Sequence, residues 1–176
     1  HSDLIGYAFD GFPIYGTFAF DNTDGTGGIT RMRTGYQLRA ITDRTTLADG
    51  TVLTAGQYGP AIGTQYPLGS YIEDYEFVAG LGDLDEHNGR LCVTPEYPDG
   101  IYAYFVTLNE AGAPVYPYTI GPTYYGTVQA GNSGPASGHN TVPGGAVLYD
   151  PSVTGIEAIA RDAFTVFPVP ADSELN

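Results

Sequence analysis

The chain has 176 residues, 20 of them acidic and 6 basic, for a formal net charge of −14. All the basic residues are arginine, which excludes lysine-based covalent chemistry and leaves no basic stripe to hold nucleic acid against so negative a field. The length suits one domain with a short appendage, and a hydrophobic content of 42% supplies a core.

In chain order, short apolar or alternating runs predict strands at 4–9, 14–20, 36–41, 51–54, 71–78, 90–94, 101–108, 115–120, 124–129 and 146–149. The pairs Asp10-Gly11, Asp24-Gly25, Asp49-Gly50, Asn88-Gly89 and Asp99-Gly100 fall between or beside them as turn signals that tolerate positive φ. About ten short strands with little helix predict an all-β domain, either a sandwich or an irregular barrel. One stretch, 155–163, reads as helical, and the small-residue run 131–145 reads as an exposed loop. The composition changes at Pro151, where the Gly-Tyr character ends. That break predicts a β-rich domain over 1–150, a linker over 151–163 and the start of another module at 164–176. No run reaches the roughly 18 apolar residues that span a membrane. The single cysteine, Cys92, has no partner for an internal disulfide.

The densest polar cluster is GDLDEHNGR at 82–90. Asp83, Asp85, Glu86 and Asn88 offer hard oxygen ligands around His87, the ligand type that Ca²⁺ takes six to eight at a time. The spacing departs from the EF-hand loop: the position six residues after the turn glycine is Pro95, with Glu96 following. The competing reading is a solvated acidic hairpin loop. Asp21 to Gly25 reads as a plain Asx-rich turn. The histidines, His1, His87 and His139, have no zinc spacing. A copper site, as in a copper-dependent polysaccharide oxygenase, would need His1 to be a processed N-terminus chelating with His87 or His139. No Gly-x-Ser-x-Gly elbow and no phosphate loop is present. An enzymatic alternative would place Asp85, Glu86 and Glu96 around His87 for acid–base work. Tyr102 and Tyr104 share one strand face, as do Tyr116 and Tyr118, by the period of two. Packing is the expected role for these rings, and a tyrosine-lined carbohydrate platform is the alternative.

Two resemblances add to this reading. The blocks HSDLIGYAFDGFPIYG, YIEDYEFVAGLGDLDEHNGRLCVTPEYPDGIYAYFVT and PYTIGPTYYG, spread over 1–126, resemble the YHYH-domain family. The resemblance implies a secreted or surface-associated bacterial protein, without implying an activity. The Tyr-His-Tyr-His segment that names the family normally precedes the HSDLIGY block and is not in this chain, so no metal role of those histidines carries over. On this resemblance His1 is expected at an internal position, which counts against the copper terminus. At the tail, FTVFPVPADSELN over 164–176 is similar to the opening of the C-terminal sorting domain of type IX secretion cargo. Phe167, Pro168, Pro170 and Leu175 match that pattern, with Val169 in place of the usual Asn.

The combined expectation is a β-rich binding or structural module at the cell surface or outside a Gram-negative bacterium, holding Ca²⁺ at 83–88, with copper as the lesser candidate. Its expected partners are the outer-membrane secretion machinery, cell-surface components or polysaccharide, and no nucleic acid. A secreted enzyme is the alternative.

Overall fold

The computed structural model describes residues 1–128. The strand expected at 146–149, the helix at 155–163, His139 and the sorting segment with Phe167, Pro168, Pro170 and Leu175 lie outside the described residues. Within them the chain is strand-rich with almost no helix, as expected, and its small sheets do not close into a barrel.

The main sheet has four strands in the order β1 (Leu4–Tyr7), β2 (Pro13–Tyr15), β8 (Tyr97–Phe105), β7 (Gly89–Thr94). Two antiparallel hairpins, β1–β2 and β7–β8, meet through a parallel β2–β8 pairing in which Ile14 faces Tyr104 and Tyr15 faces Phe105. Alternation along the second half of β8, from Ile101 to Phe105, explains why it reads as an unbroken apolar run. Ala103 and Phe105 enter a core with Tyr15, Ala19, Met32, Leu84 and Cys92. Tyr102 and Tyr104 point the other way, into a second core with Ala8, against which Phe12, Ile14, Ile120 and Tyr124 pack. A sheet covered on both faces carries apolar residues at every position.

Two further hairpins are attached: β3 (Phe18–Phe20) with β4 (Ile29–Arg31), and β5 (Tyr36–Leu38) with β6 (Tyr75–Phe77). The run expected as one strand at 14–20 is two, broken at Gly16 and Thr17. A Cβ on Gly16 would lie 2.8 Å from the Ser2 side chain, whose hydroxyl accepts a bond from the Phe18 N–H. The strand expected at 115–120 is instead a turn, because Pro117 has no N–H to give a ladder and Tyr118 takes φ 73°. The run 124–129 forms no strand as far as it is described; the Tyr125 and Gly126 N–H groups bond to Tyr104 Oη and Asp10 Oδ2. The stretch 51–54 contributes only one bridge, Val52 to Thr46.

The long excursion between β5 and β6 is held by two buried arginines. Arg39 donates to the carbonyls of Thr46, Leu47 and Glu73 and to Thr46 Oγ1. Arg44 forms a two-pronged ion pair with Asp74, at 2.6 and 2.8 Å, and also donates to the carbonyls of Pro60 and Pro67. Asp74 accepts the Gly69 and Tyr71 N–H groups as well, which curls Ile72–Asp74 into a 3-10 turn where 71–78 was expected to be all strand. The hydrogen bonds from Arg44 hold the Asp74 carboxyl down at about 2, against the opposing effect of its burial.

Candidate functional site

The acidic loop at 82–90 leads into β7, and its Asp83, Asp85 and Asn88 side chains are each bonded to partners in the fold. Asn88 sits at φ 64°, fully buried, and its side-chain amide donates to the carbonyls of Phe105 and Thr119. Asp85 Oδ1 accepts the His87 N–H at 3.0 Å, the Gly89 N–H at 3.2 Å and the Tyr102 hydroxyl at 2.8 Å. Gly89 is required where it stands, since a Cβ there would collide with the Tyr102 hydroxyl and the Ala103 carbonyl. Asp83 is occupied by Arg33, which grips it with Nε at 3.0 Å and Nη2 at 2.9 Å while the Arg33 backbone N–H adds a third bond. Burial pushes the Asp83 carboxyl up, but these bonds outweigh it and leave it below the usual carboxylate range.

Asp83, Asp85, Glu86, His87 and Asn88 are therefore neighbours in sequence with separate destinations. The Glu86 side chain is exposed, and its backbone carbonyl accepts the Tyr36 hydroxyl. His87 Nδ1 lies 2.9 Å from Thr123 Oγ1 and 4 Å separates its Nε2 from Glu86. Among the described residues no three His, Cys, Asp or Glu side chains gather as a metal-holding group. Glu96 lies in the turn at the far end of the β7–β8 hairpin, where it accepts the Tyr15 hydroxyl at 2.8 Å. The length of β7 puts that turn about 20 Å from the loop that precedes the strand. The acid–base grouping of Asp85, Glu86 and Glu96 around His87 is not assembled. His1 packs its ring on Tyr15 and Phe105 on one face of the main sheet. His87 packs against Tyr125, which stacks on Tyr102 of the opposite face. The two histidines do not share a copper site.

The tyrosines divide by location. Tyr102 and Tyr104 are core residues, each with its hydroxyl on an aspartate, Asp85 for the first and Asp10 for the second. Tyr116 and Tyr118 instead face an open groove of about 480 Å³ together with Tyr36 and Tyr75. Tyr75 and Tyr116 stack at 4.1 Å and 13°, and Tyr36 meets Tyr116 edge-on at 5.2 Å. The Tyr36 and Tyr75 hydroxyls are tied back to the Glu86 and Gly69 carbonyls, so the rings cannot swing away without losing those bonds. Burial pushes the Tyr36 phenol up to about 12. Tyr118 is half exposed and held at φ 73° by bonds from its N–H to the Val115 carbonyl and from the Thr107 N–H to its carbonyl. A bulky side chain at positive φ is uncommon, and such residues concentrate at functional surfaces. On the other side of the same Tyr36–Tyr75–Tyr116 wall lies a second, smaller groove of about 390 Å³, edged by Asp49, Glu73 and Glu76.

The family model of the YHYH protein matches residues 1–117. The chain belongs to the YHYH family. That match covers the buried residues of both cores, the acidic loop and the tyrosine wall as far as Tyr116, and stops just short of Tyr118. Neither the curated proteins nor the solved structures offer a match to the chain.

Sequence reasoning missed Tyr36, Tyr75 and Arg31 as groove residues. Tyr36 and Tyr75 meet only through the β5–β6 pairing, which sets Leu38 opposite Tyr75 across a long irregular loop. The one signal available was the count of 15 tyrosines, which exceeds what two small cores can absorb.

Proposed function

We propose that this YHYH-family chain is a glycan-binding module acting outside the cell, with the tyrosine-walled groove as its binding surface. The observation that carries the reading is Tyr118, a large aromatic kept half exposed in an uncommon backbone conformation beside three other tyrosines. Aromatic faces offer broad apolar contact to the C–H face of a sugar ring, and fixed rings lose little freedom on binding. Open grooves with a few convergent polar groups are the usual form of such sites. The acidic, lysine-free composition and the resemblance of the tail (Phe167, Pro168, Pro170, Leu175) to type IX sorting sequences support export to the surface of a Gram-negative cell. Calcium at 83–88 is not part of this reading, because the Asp83 and Asp85 carboxylates would have to abandon the donors they hold.

The test is affinity electrophoresis of the wild type and of Tyr116→Ala and Tyr118→Gly variants through gels containing soluble polysaccharides. Glycine suits the positive φ at 118, so the fold is kept while the ring is removed. Retardation of the wild type, reduced about tenfold or more in affinity by either variant, is expected. A wild type that no polysaccharide retards, or variants retarded like it, refutes the proposal.

A further inference from the structure

The two grooves flanking the tyrosine wall differ in charge. The smaller one is edged by Asp49, Glu73 and Glu76 with no basic side chain among the described residues. The larger one is lined by Arg31 and Arg33, with Glu110, which is exposed, as its single carboxylate among the described residues. Arg33 is committed to Asp83. Arg31 is half buried at the end of β4, donates through Nη1 to the Leu108 carbonyl at 2.6 Å, and has no carboxylate within 4 Å among the described residues. In a chain with 20 acidic residues against 6 basic ones, this guanidinium borders an open groove with no carboxylate paired to it. Its remaining N–H groups present the flat edge that pairs with a carboxylate through two parallel bonds.

We infer that Arg31 receives the carboxylate of a uronic acid, so that the groove selects a glycan carrying an acidic sugar whose ring lies against Tyr116 and Tyr118. This rests on the glycan reading above and sharpens its ligand class. The net charge of −14 opposes a dense polyanion. The fitting ligand is therefore a largely neutral chain with an isolated uronate, whose charge is met at contact while the wider field is screened beyond about 10 Å at 0.1 M salt.

The experiment is a glycan array printed with glucuronate- and galacturonate-bearing oligosaccharides, the methyl esters of the same compounds, and their neutral counterparts. Titration calorimetry on the strongest binder follows. The acid is expected to bind about tenfold tighter than its own ester, a gap of about 1.4 kcal/mol and within the range of a charged hydrogen-bonded contact. Arg31→Gln should bring acid and ester to the same affinity, and Arg31→Lys should keep part of the preference because it keeps charge but not the fork. Comparing acid with ester on the wild type requires no folded variant, and the melting temperature of each variant is recorded alongside. Equal binding of acid, ester and neutral sugar, or an Arg31→Gln variant that still prefers the acid, overturns the inference and leaves the glycan module standing. Absence of binding to every compound overturns both.

Discussion

Replacing Asp85 separates a structural role for the acidic loop from a metal-binding one. Its carboxylate satisfies three donors: the Tyr102 hydroxyl and the His87 and Gly89 N–H groups. Asp85→Ala leaves the buried Tyr102 hydroxyl with no acceptor, at a cost of about 1–3 kcal/mol, and loosens two backbone donors of the turn at roughly 0.5–1.5 kcal/mol each. A loss of about 3 kcal/mol is expected, which lowers the melting temperature of a domain of this size by roughly 10 °C. Asp85→Asn keeps one carbonyl oxygen for the backbone donors, and Tyr102→Phe removes the donor together with its need for an acceptor. Both should cost about 1 kcal/mol or less. The assay is thermal unfolding followed by circular dichroism, with millimolar Ca²⁺ and with chelator. The ranking Ala worst, then Asn and Phe, should hold identically in both conditions. An Asp85→Ala protein that melts with the wild type would refute the reasoning. So would a wild type stabilised by Ca²⁺ and a mutant that is not, since the loop would then serve a metal.

Two further outcomes follow from the buried polar groups. Arg44→Gln strands Asp74 and should cost about 3–5 kcal/mol, read as a lower denaturation midpoint and faster proteolysis within 39–74. The same pair sets an acid limit. Because the folded-state pKa of Asp74 is lowered to about 2, its contribution is complete above the ordinary aspartate value near 4 and is lost as pH falls from about 4 to 2. The wild type should lose stability in that window, and Arg44→Gln should show a weaker dependence there. At alkaline pH the sign reverses. Burial raises the Tyr15 and Tyr36 phenols to about 12, so the folded state favours their neutral form. That stabilisation is full below pH 10 and fades as pH rises to 12. A spectrophotometric tyrosine titration should show late-ionising phenols released together at unfolding. A smooth titration of all tyrosines near pH 10 would contradict the buried positions.

The main sheet was legible because its residues carry their own instructions. β1, β7 and β8 fall within or overlap the expected runs, and the turn pairs behave as their chemistry dictates: Gly11, Gly25, Gly50 and Gly100 take positive φ, and at the fifth pair Asn88 takes it instead of Gly89. β4 was missed, being three residues long and stabilised by pairing with β3 rather than by any pattern of its own. At 115–120 the apolar alternation was real, but Pro117 overrode it. The acidic loop was visible in the sequence as a cluster of oxygen-bearing side chains; what composition does not encode is which atoms the rest of the fold will claim. Arg33 lies far upstream of Asp83, and Tyr102 belongs to β8, the second strand after Asp85. Oxygen-rich loops bind ions only where their oxygens are left over after the backbone and its neighbours have been satisfied.

The same accounting identifies the groove. In this chain, carboxylates are spent on fixing backbone and tyrosine hydroxyls: Asp10 on Tyr104 and Gly126, Asp74 on Arg44 and two N–H groups, Asp85 on Tyr102 and the β7 turn. Arginines are spent on carbonyls or on those carboxylates, Arg39 and Arg44 in the long loop and Arg33 at Asp83. Against that background a side chain with capacity left over stands out more sharply than any cluster of charged residues. Arg31 has donors beyond its one carbonyl, and Tyr118 has a ring face beyond its packing contacts. Both border the same groove, beside a wall in which the Tyr36 and Tyr75 hydroxyls are already bonded. Unspent capacity on a rigid frame is what a ligand site requires, since the frame bears the ordering cost before the ligand arrives.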